Sequence, residues 1–262
     1  MKKVFVLAGL LSALVFTSCK KDKDSNDDNN NGGGGNNPPA KLVNKMTETE
    51  NGVNTVYNFT YNDAKKLTRF AAADGSEYVN FTYDAAGNLT KVESVEEDFK
   101  NVYTYTYNNN VPVTGALKTW EVMNGQVGDL IEDDELTYTV ENGQVSKIKL
   151  YMKQADIEVN MNLTYTNGNV TKIESAPNSV YTYKATFAFG SKKSPFPQLS
   201  KYVLDQAGFS LMFSSKSELL TAAYDFPGTA FDYTLTHQYT YDANGYPLTS
   251  NDGDVLVKYE YQ

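Results

Sequence analysis

Histidine, cysteine and tryptophan are nearly missing from this chain of 262 residues, which holds one of each. The lone histidine, His237, permits at most one histidine-based triad and rules out a two-histidine metal site. The lone cysteine, Cys19, leaves no disulfide, so whatever folds must be held by its own core. Basic charge is short as well. The chain has 23 Lys and Arg against 32 Asp and Glu, a net charge of −9, and such a surface repels nucleic acid and anionic lipid alike. No uncharged apolar run is long enough to cross a bilayer comfortably as a helix.

The longest such run lies at the start. Met1-Lys2-Lys3 is followed by an uncharged stretch from Val4 to Phe16, then Thr17-Ser18-Cys19. A basic start, a short apolar segment and small residues mark 1–18 as a signal peptide, to be left out of fold reasoning. Val15-Phe16-Thr17-Ser18-Cys19 resembles the lipobox of bacterial lipoproteins, with Phe16 where Leu is commonest. The resemblance implies cleavage before Cys19 and acylation of it, which would consume the only thiol and anchor the chain in a membrane through lipid. Net charge would go from −9 to −11 as Lys2 and Lys3 leave with the signal.

Residues 19–40 contain no aromatic side chain and run through Lys20-Lys21-Asp22-Lys23-Asp24, Asn29 to Asn31, Gly32 to Gly35 and Pro38-Pro39. That composition cannot bury enough apolar area to offset its ordering entropy, so a disordered tether is expected. In the flexible regime it would hold a domain about 25 Å from its anchor. Its charged start resembles the Lys/Asp export signal that sends some Bacteroidales lipoproteins to the cell surface; a plain solvated charge run is the alternative.

From 41 to 262 the chain reads as a single all-β domain, and the reason is alternation. Ile157, Val159, Met161, Leu163 and Tyr165 fall on one side of a strand, with Glu158, Asn160, Asn162 and Thr164 on the other. Phe231, Tyr233, Leu235, His237, Tyr239 and Tyr241 alternate with polar residues in the same way. One wet face on so many strands indicates an antiparallel sheet, because all-parallel sheets are covered on both sides. The unit that recurs is a hairpin, clearest in Phe81-Thr82-Tyr83-Asp84-Ala85-Ala86-Gly87-Asn88-Leu89-Thr90-Lys91. Near-copies stand at Phe59-Thr60-Tyr61, Tyr105-Thr106-Tyr107, Leu136-Thr137-Tyr138, Leu163-Thr164-Tyr165 and Tyr239-Thr240-Tyr241, while Tyr181-Thr182-Tyr183 leaves the pattern. Asn142-Gly143 and Asn167-Gly168 supply positive φ for tight turns, and the Asp of Asp84–Gly87 or Asp242–Gly245 accepts loop amides.

One stretch breaks the meander. Between Gly190 and Gly228 come Ser194-Pro195-Phe196-Pro197, then Leu199, Tyr202, Val203 and Leu204 at helical spacing, with Gly208 as a helix stop. A one-faced sheet has to cover its apolar face, and this insert (about 190–228) is the available cover. The expected fold is a curled antiparallel meander, a half-pipe or nearly closed barrel, with one short helix-bearing insert packed on its apolar side.

The repeated Tyr/Phe-Thr-Tyr-Asp-x-x-Gly-Asn-Leu-Thr-Lys resembles the YD repeat of Rhs and teneurin shells, which implies spiralling β-sheets. Ser194-Pro195-Phe196, together with Tyr239 to Pro247 and the lipobox, is similar to a Bacteroidales lipoprotein family of unknown function. That family implies an outer-membrane address and this fold, and brings no catalytic residue.

No cofactor or metal motif is present. His237 lies on the apolar side of its strand, where a buried imidazole bonded to a tyrosine hydroxyl is the simple expectation. The run Asp129–Glu135 lacks the spacing of a Ca²⁺ loop and reads as a solvated hairpin tip. Twenty tyrosines suggest glycan stacking, but most fall on the core-facing side. Trp120 stands apart; with Lys118 and Val122 on its face, packing competes with ligand stacking. Trp120 and His237 are thus the candidate ligand contacts, and Cys19 the lipidation site. The functional expectation is a non-enzymatic outer-membrane lipoprotein, facing outward, that binds a glycan, peptide or protein partner. The alternative is a periplasm-facing carrier holding a hydrophobic ligand in a half-open barrel.

Overall fold

The computed structural model describes residues 41–262 except Glu97, Asn178, Tyr181, 206–208, Phe231 and the side chain of Phe209. Cys19, the signal segment, the tether, Gly208 and Phe231 lie outside the described residues.

Among the described residues seventeen strands form one antiparallel sheet in sequence order. The first six are β1 (Val43–Glu50), β2 (Val53–Tyr61), β3 (Leu67–Ala72), β4 (Tyr78–Tyr83), β5 (Leu89–Glu96) and β6 (Phe99–Asn108). Then come the long β7 (Val111–Met123) and β8 (Gln126–Glu141), followed by β9 (Gln144–Met152), β10 (Ile157–Thr166), β11 (Asn169–Ser175) and β12 (Lys184–Lys193). After the helix α1 (Phe209–Ser214) come β13 (Ser217–Asp225), β14 (Tyr233–Thr236), β15 (Gln238–Tyr241), β16 (Pro247–Asn251) and β17 (Val255–Tyr261). β17 pairs with β1, Val257 opposite Glu48, so the meander closes on itself as a barrel.

Closure carries one seam. β14 and β15 are a single chain path interrupted at His237: β14 pairs with β13, and β15 pairs with β16 instead. His237 marks the change of partner, its N–H reaching Leu220 O at 2.8 Å.

The alternation holds as expected. In β10, Val159, Met161 and Leu163 are buried while Glu158, Asn160 and Thr164 are exposed. The turns follow their chemistry too. Asn142-Gly143 and Asn167-Gly168 sit at φ 53/78° and 53/82°, the left-handed pair that a two-residue hairpin requires.

The insert is a plug. Outside the sheet it runs from 194 to 216, within the broader span expected. Phe196 packs on Phe59, Phe213 and Tyr259, and Phe213 lies 5.4 Å from Phe81 and 6.1 Å from Phe70. From the opposite wall, Tyr138 of β8 donates its hydroxyl to Leu204 O at 2.7 Å. Contacts to β2–β4 and β17 on one side and β8 on the other place the segment inside the barrel.

Its helix sits later than the spacing suggests. Leu199, Tyr202, Val203 and Leu204 are all buried without forming a helix. A segment enclosed on several sides buries apolar residues at any spacing, so the 3.6-residue period loses its diagnostic value there.

Candidate functional site

An antiparallel meander sends alternate turns to opposite ends, and here the two ends differ in chemistry. The first holds Asn62–Lys66, Asp84–Asn88, Asn142-Gly143, Asn167-Gly168, Asp242–Tyr246 and the entry of the plug. It is built by a repeated clamp. Tyr61, Tyr83, Tyr107, Tyr165 and Tyr261 donate their hydroxyls to the carbonyls of Val43, Leu67, Leu89, Val145 and Pro247 at 2.6–2.9 Å. Four of these tyrosines, all but Tyr261, follow a bulge after the preceding Thr, which re-aims the ring across the neighbouring hairpin. The Thr-Tyr phrase is therefore structural, and its rings are occupied in the wall. The turn aspartates are occupied as well. Asp84 accepts Asn88 N–H at 2.8 Å, and Asp242 accepts two loop amides and Lys41 Nζ, which holds its carboxyl down to about 2. Among the described residues no group of His, Cys, Asp and Glu has the arrangement of a metal site.

The other end is acidic inside. Ser94, Asn101, Thr119 and Glu132 stand opposite one another across β5, β6, β7 and β8, forming one inward polar row. Thr119 Oγ1 lies 2.9 Å from Asn101 Oδ1 and 2.8 Å from Glu132 Oε2. The Thr119 hydroxyl donates to Glu132, which opposes the rise that burial imposes on that carboxyl. Burial raises its pKa, as it raises that of Asp134, to which Glu132 is hydrogen-bonded. After burial, the charge of Glu132 raises Asp134 further, because two adjacent carboxylates out of water cannot both ionise cheaply. Across the barrel, burial and then the charges of Glu77, Glu50 and Asp252 push Glu48 up to about 7. Tyr57 donates to Glu77 at 2.8 Å. Glu48, Glu50, Asn51, Val53, Thr55 and Val255 line a cavity of about 200 Å³ at this rim.

The candidate residues separate. His237 is buried at the seam, its ring 6.1 Å from that of Tyr239; burial lowers its pKa against the pull of Asp252. Trp120 is half-exposed on the outer face of β7, opposite Leu130. Val122, two residues on in β7, is buried, and the bulges beside Trp120 lie in β8. The two side chains are not brought together into one site.

The acidic run is a correction. Its tip role belongs to Asn124-Gly125, and 129–135 is strand β8, with Asp134 only 3% exposed. Glu132 and Asp134 continue the inward set of Leu136 and Tyr138 by plain alternation, and the density of carboxylates hid the strand from a reading that looked for apolar residues.

Outside, the wall is charged. Lys91–Glu93, Lys149–Glu158, Lys172–Glu174 and Lys45–Glu260 are paired at 2.5–2.6 Å on outward faces. The interior meanwhile is one apolar cluster continuous with the plug.

This is a filled barrel with a wet exterior. Solved structures share the architecture. A porin-like protein from Bacteroides vulgatus superposes with a TM-score of 0.53 at 10% identity, over 85% of this chain and 99% of its own. A porin-like protein from Bacteroides uniformis gives 0.47 at 16% identity, over 84% and 96%. The likeness is one of fold and rests on the first. No protein-family model matches the chain, and no curated protein matches it in sequence.

Proposed function

We propose that this protein is a non-enzymatic outer-membrane lipoprotein, acylated at Cys19, whose plugged barrel is displayed on a tether as a binding module for a glycan, peptide or protein. The observation that carries the reading is the disposition of the two faces. A membrane-spanning pore turns an apolar band outward and keeps a polar lumen, whereas this barrel turns Lys–Glu pairs outward and fills its lumen with aromatic rings. The porin-like naming of the structural neighbours agrees with an outer-membrane address, reached here through lipid. A carrier of hydrophobic ligands would need the space beneath the sheet to be open, and Phe196, Leu204, Met212 and Phe213 occupy it.

Orientation follows from where the tether joins. Lys41 lies at the turn end, paired with Asp242 at 2.6 Å, so the acidic rim is the end farther from the anchor. Metabolic labelling with a radioactive fatty acid tests the address: label on the wild-type chain and none on Cys19→Ala is expected. Proteinase added to intact cells tests the outward placement. A Cys19→Ala chain that stays labelled and membrane-bound refutes the anchor, and complete protection in intact cells with digestion after lysis refutes surface display.

A further inference from the structure

The β7–β8 hairpin outruns the barrel wall. β6 leaves β7 at Phe99 opposite Glu121, and β9 leaves β8 at Met152 opposite Asp134, while β7 and β8 stay paired as far as Met123 and Gln126. Residues 126–132 of β8 thus have β7 on one side and, among the described residues, no strand on the other.

Register tells which groups face the open side. Val122 gives its N–H to Asp98 O, 2.6 Å away on the β6 side, so its partner Val127 turns its own N–H and C=O outward, away from β7. One bulge later Leu130 also presents its C=O there, where the Gln154 amide meets it at 3.3 Å. Apolar side chains accompany the edge: Met123 is 62% and Val127 55% exposed, with Leu130 facing Trp120. A free strand carrying exposed apolar residues is a template for another strand.

Charge selects which strand. Asp129, Glu132, Asp133, Asp134 and Glu135 crowd the same stretch; among the described residues Lys118 pairs with Asp133 and Lys153 with Asp133 and Glu135, which leaves the exposed Asp129 unanswered. A second copy would set like charges side by side, and the bulges limit the flat edge to a few residues. We propose that the edge 127–132 accepts an extended basic peptide segment by strand addition, its Lys or Arg residues answering the exposed Asp129 and its apolar residues lying by Trp120 and Leu130.

The inference names a partner for the proposed binding module and rests on that reading. Its probe is a fluorescein-labelled peptide of alternating Lys and Val, seven residues long, titrated by anisotropy against the full chain in mild detergent. Saturable binding is expected, weakened about tenfold between about 50 and 300 mM salt. Val127→Pro should weaken it about tenfold with the thermal midpoint unchanged, since that N–H serves no β7 bond. Asp129→Lys, an exposed position, should do the same without touching the backbone. The proposal is overturned by absence of binding, by equal binding of a Glu-for-Lys peptide, or by two variants that bind like wild type. It is overturned also by a dimer that Val127→Pro dissolves, which would give the edge to a second copy. Binding that both variants retain removes the edge and leaves the module; loss of anchoring at Cys19 removes the anchored module and leaves the edge.

Discussion

Tyr241 Oη lies 3.0 Å from Glu218 Oε1, across the seam where β15 has left β13. Elsewhere the last tyrosine of the repeat clamps a backbone carbonyl; at the seam it takes a carboxylate that is itself 2% exposed. A Cβ at Gly190 would fall 2.1 Å from that same Oε1, so the bulge in β12 leaves just enough room for it. Gly190→Ala is expected to destabilise the barrel by about 1–3 kcal/mol. In a Glu218→Ala background the cost should shrink, because the clash disappears with the carboxylate. Urea denaturation of the four proteins of this cycle measures the coupling, and purely additive losses would refute the contact.

The clamps predict a series. Removing the hydroxyl in Tyr107→Phe leaves Leu89 O without its 2.7 Å partner and should cost about 1 kcal/mol. Tyr165→Phe should cost about as much, and the double variant the sum, since the two clamps share no partner. Losses near zero by denaturant unfolding would show that water replaces the bond.

The plug has a larger effect in view. Phe213 is buried among Phe70, Phe81 and Phe196, and Phe213→Ala should cost about 3–5 kcal/mol through lost transfer energy and a residual cavity. Phe213→Leu should recover more than half of that. A small loss for Phe213→Ala, read from thermal or urea unfolding, would mean that the lumen collapses freely and is not close-packed.

Acidity should stabilise this acidic protein. Glu48 titrates near 7 when folded against a usual 4.5, so the folded state holds that proton more tightly. Its contribution is complete below pH 4.5, declines as pH rises through 7 and is level above, a change of about 1–3 kcal/mol. Glu132 and Asp134 shift in the same direction and add to the slope. Unfolding free energies at closely spaced pH values should fall across this window in wild type and less steeply in Glu48→Gln. Parallel curves for the two proteins would refute the assignment.

Much of this architecture was legible before any coordinates. Period-two alternation in 157–165 and the Asn-Gly turns are properties of a few adjacent residues, so the one-faced antiparallel sheet and its hairpins follow from the chain alone. Repetition of Thr-Tyr likewise marked a shared unit, though its meaning, a hydroxyl reaching a carbonyl 14 to 20 residues upstream, required the neighbouring strand. Other features depend on residues far apart in sequence. The pairing of β1 with β17, the change of partner at His237 and the enclosure of Phe196 and Phe213 are set by how many twisted strands fit around one plug. The acidic rim divides between the two: Asp134 and Glu132 keep the alternation of Tyr138 and Leu136, which is local, but only the closed wall takes them out of water. Local pattern determined what each strand is, and only closure decided which ends meet, which carboxylates lose solvent and which edge of β8 stays open.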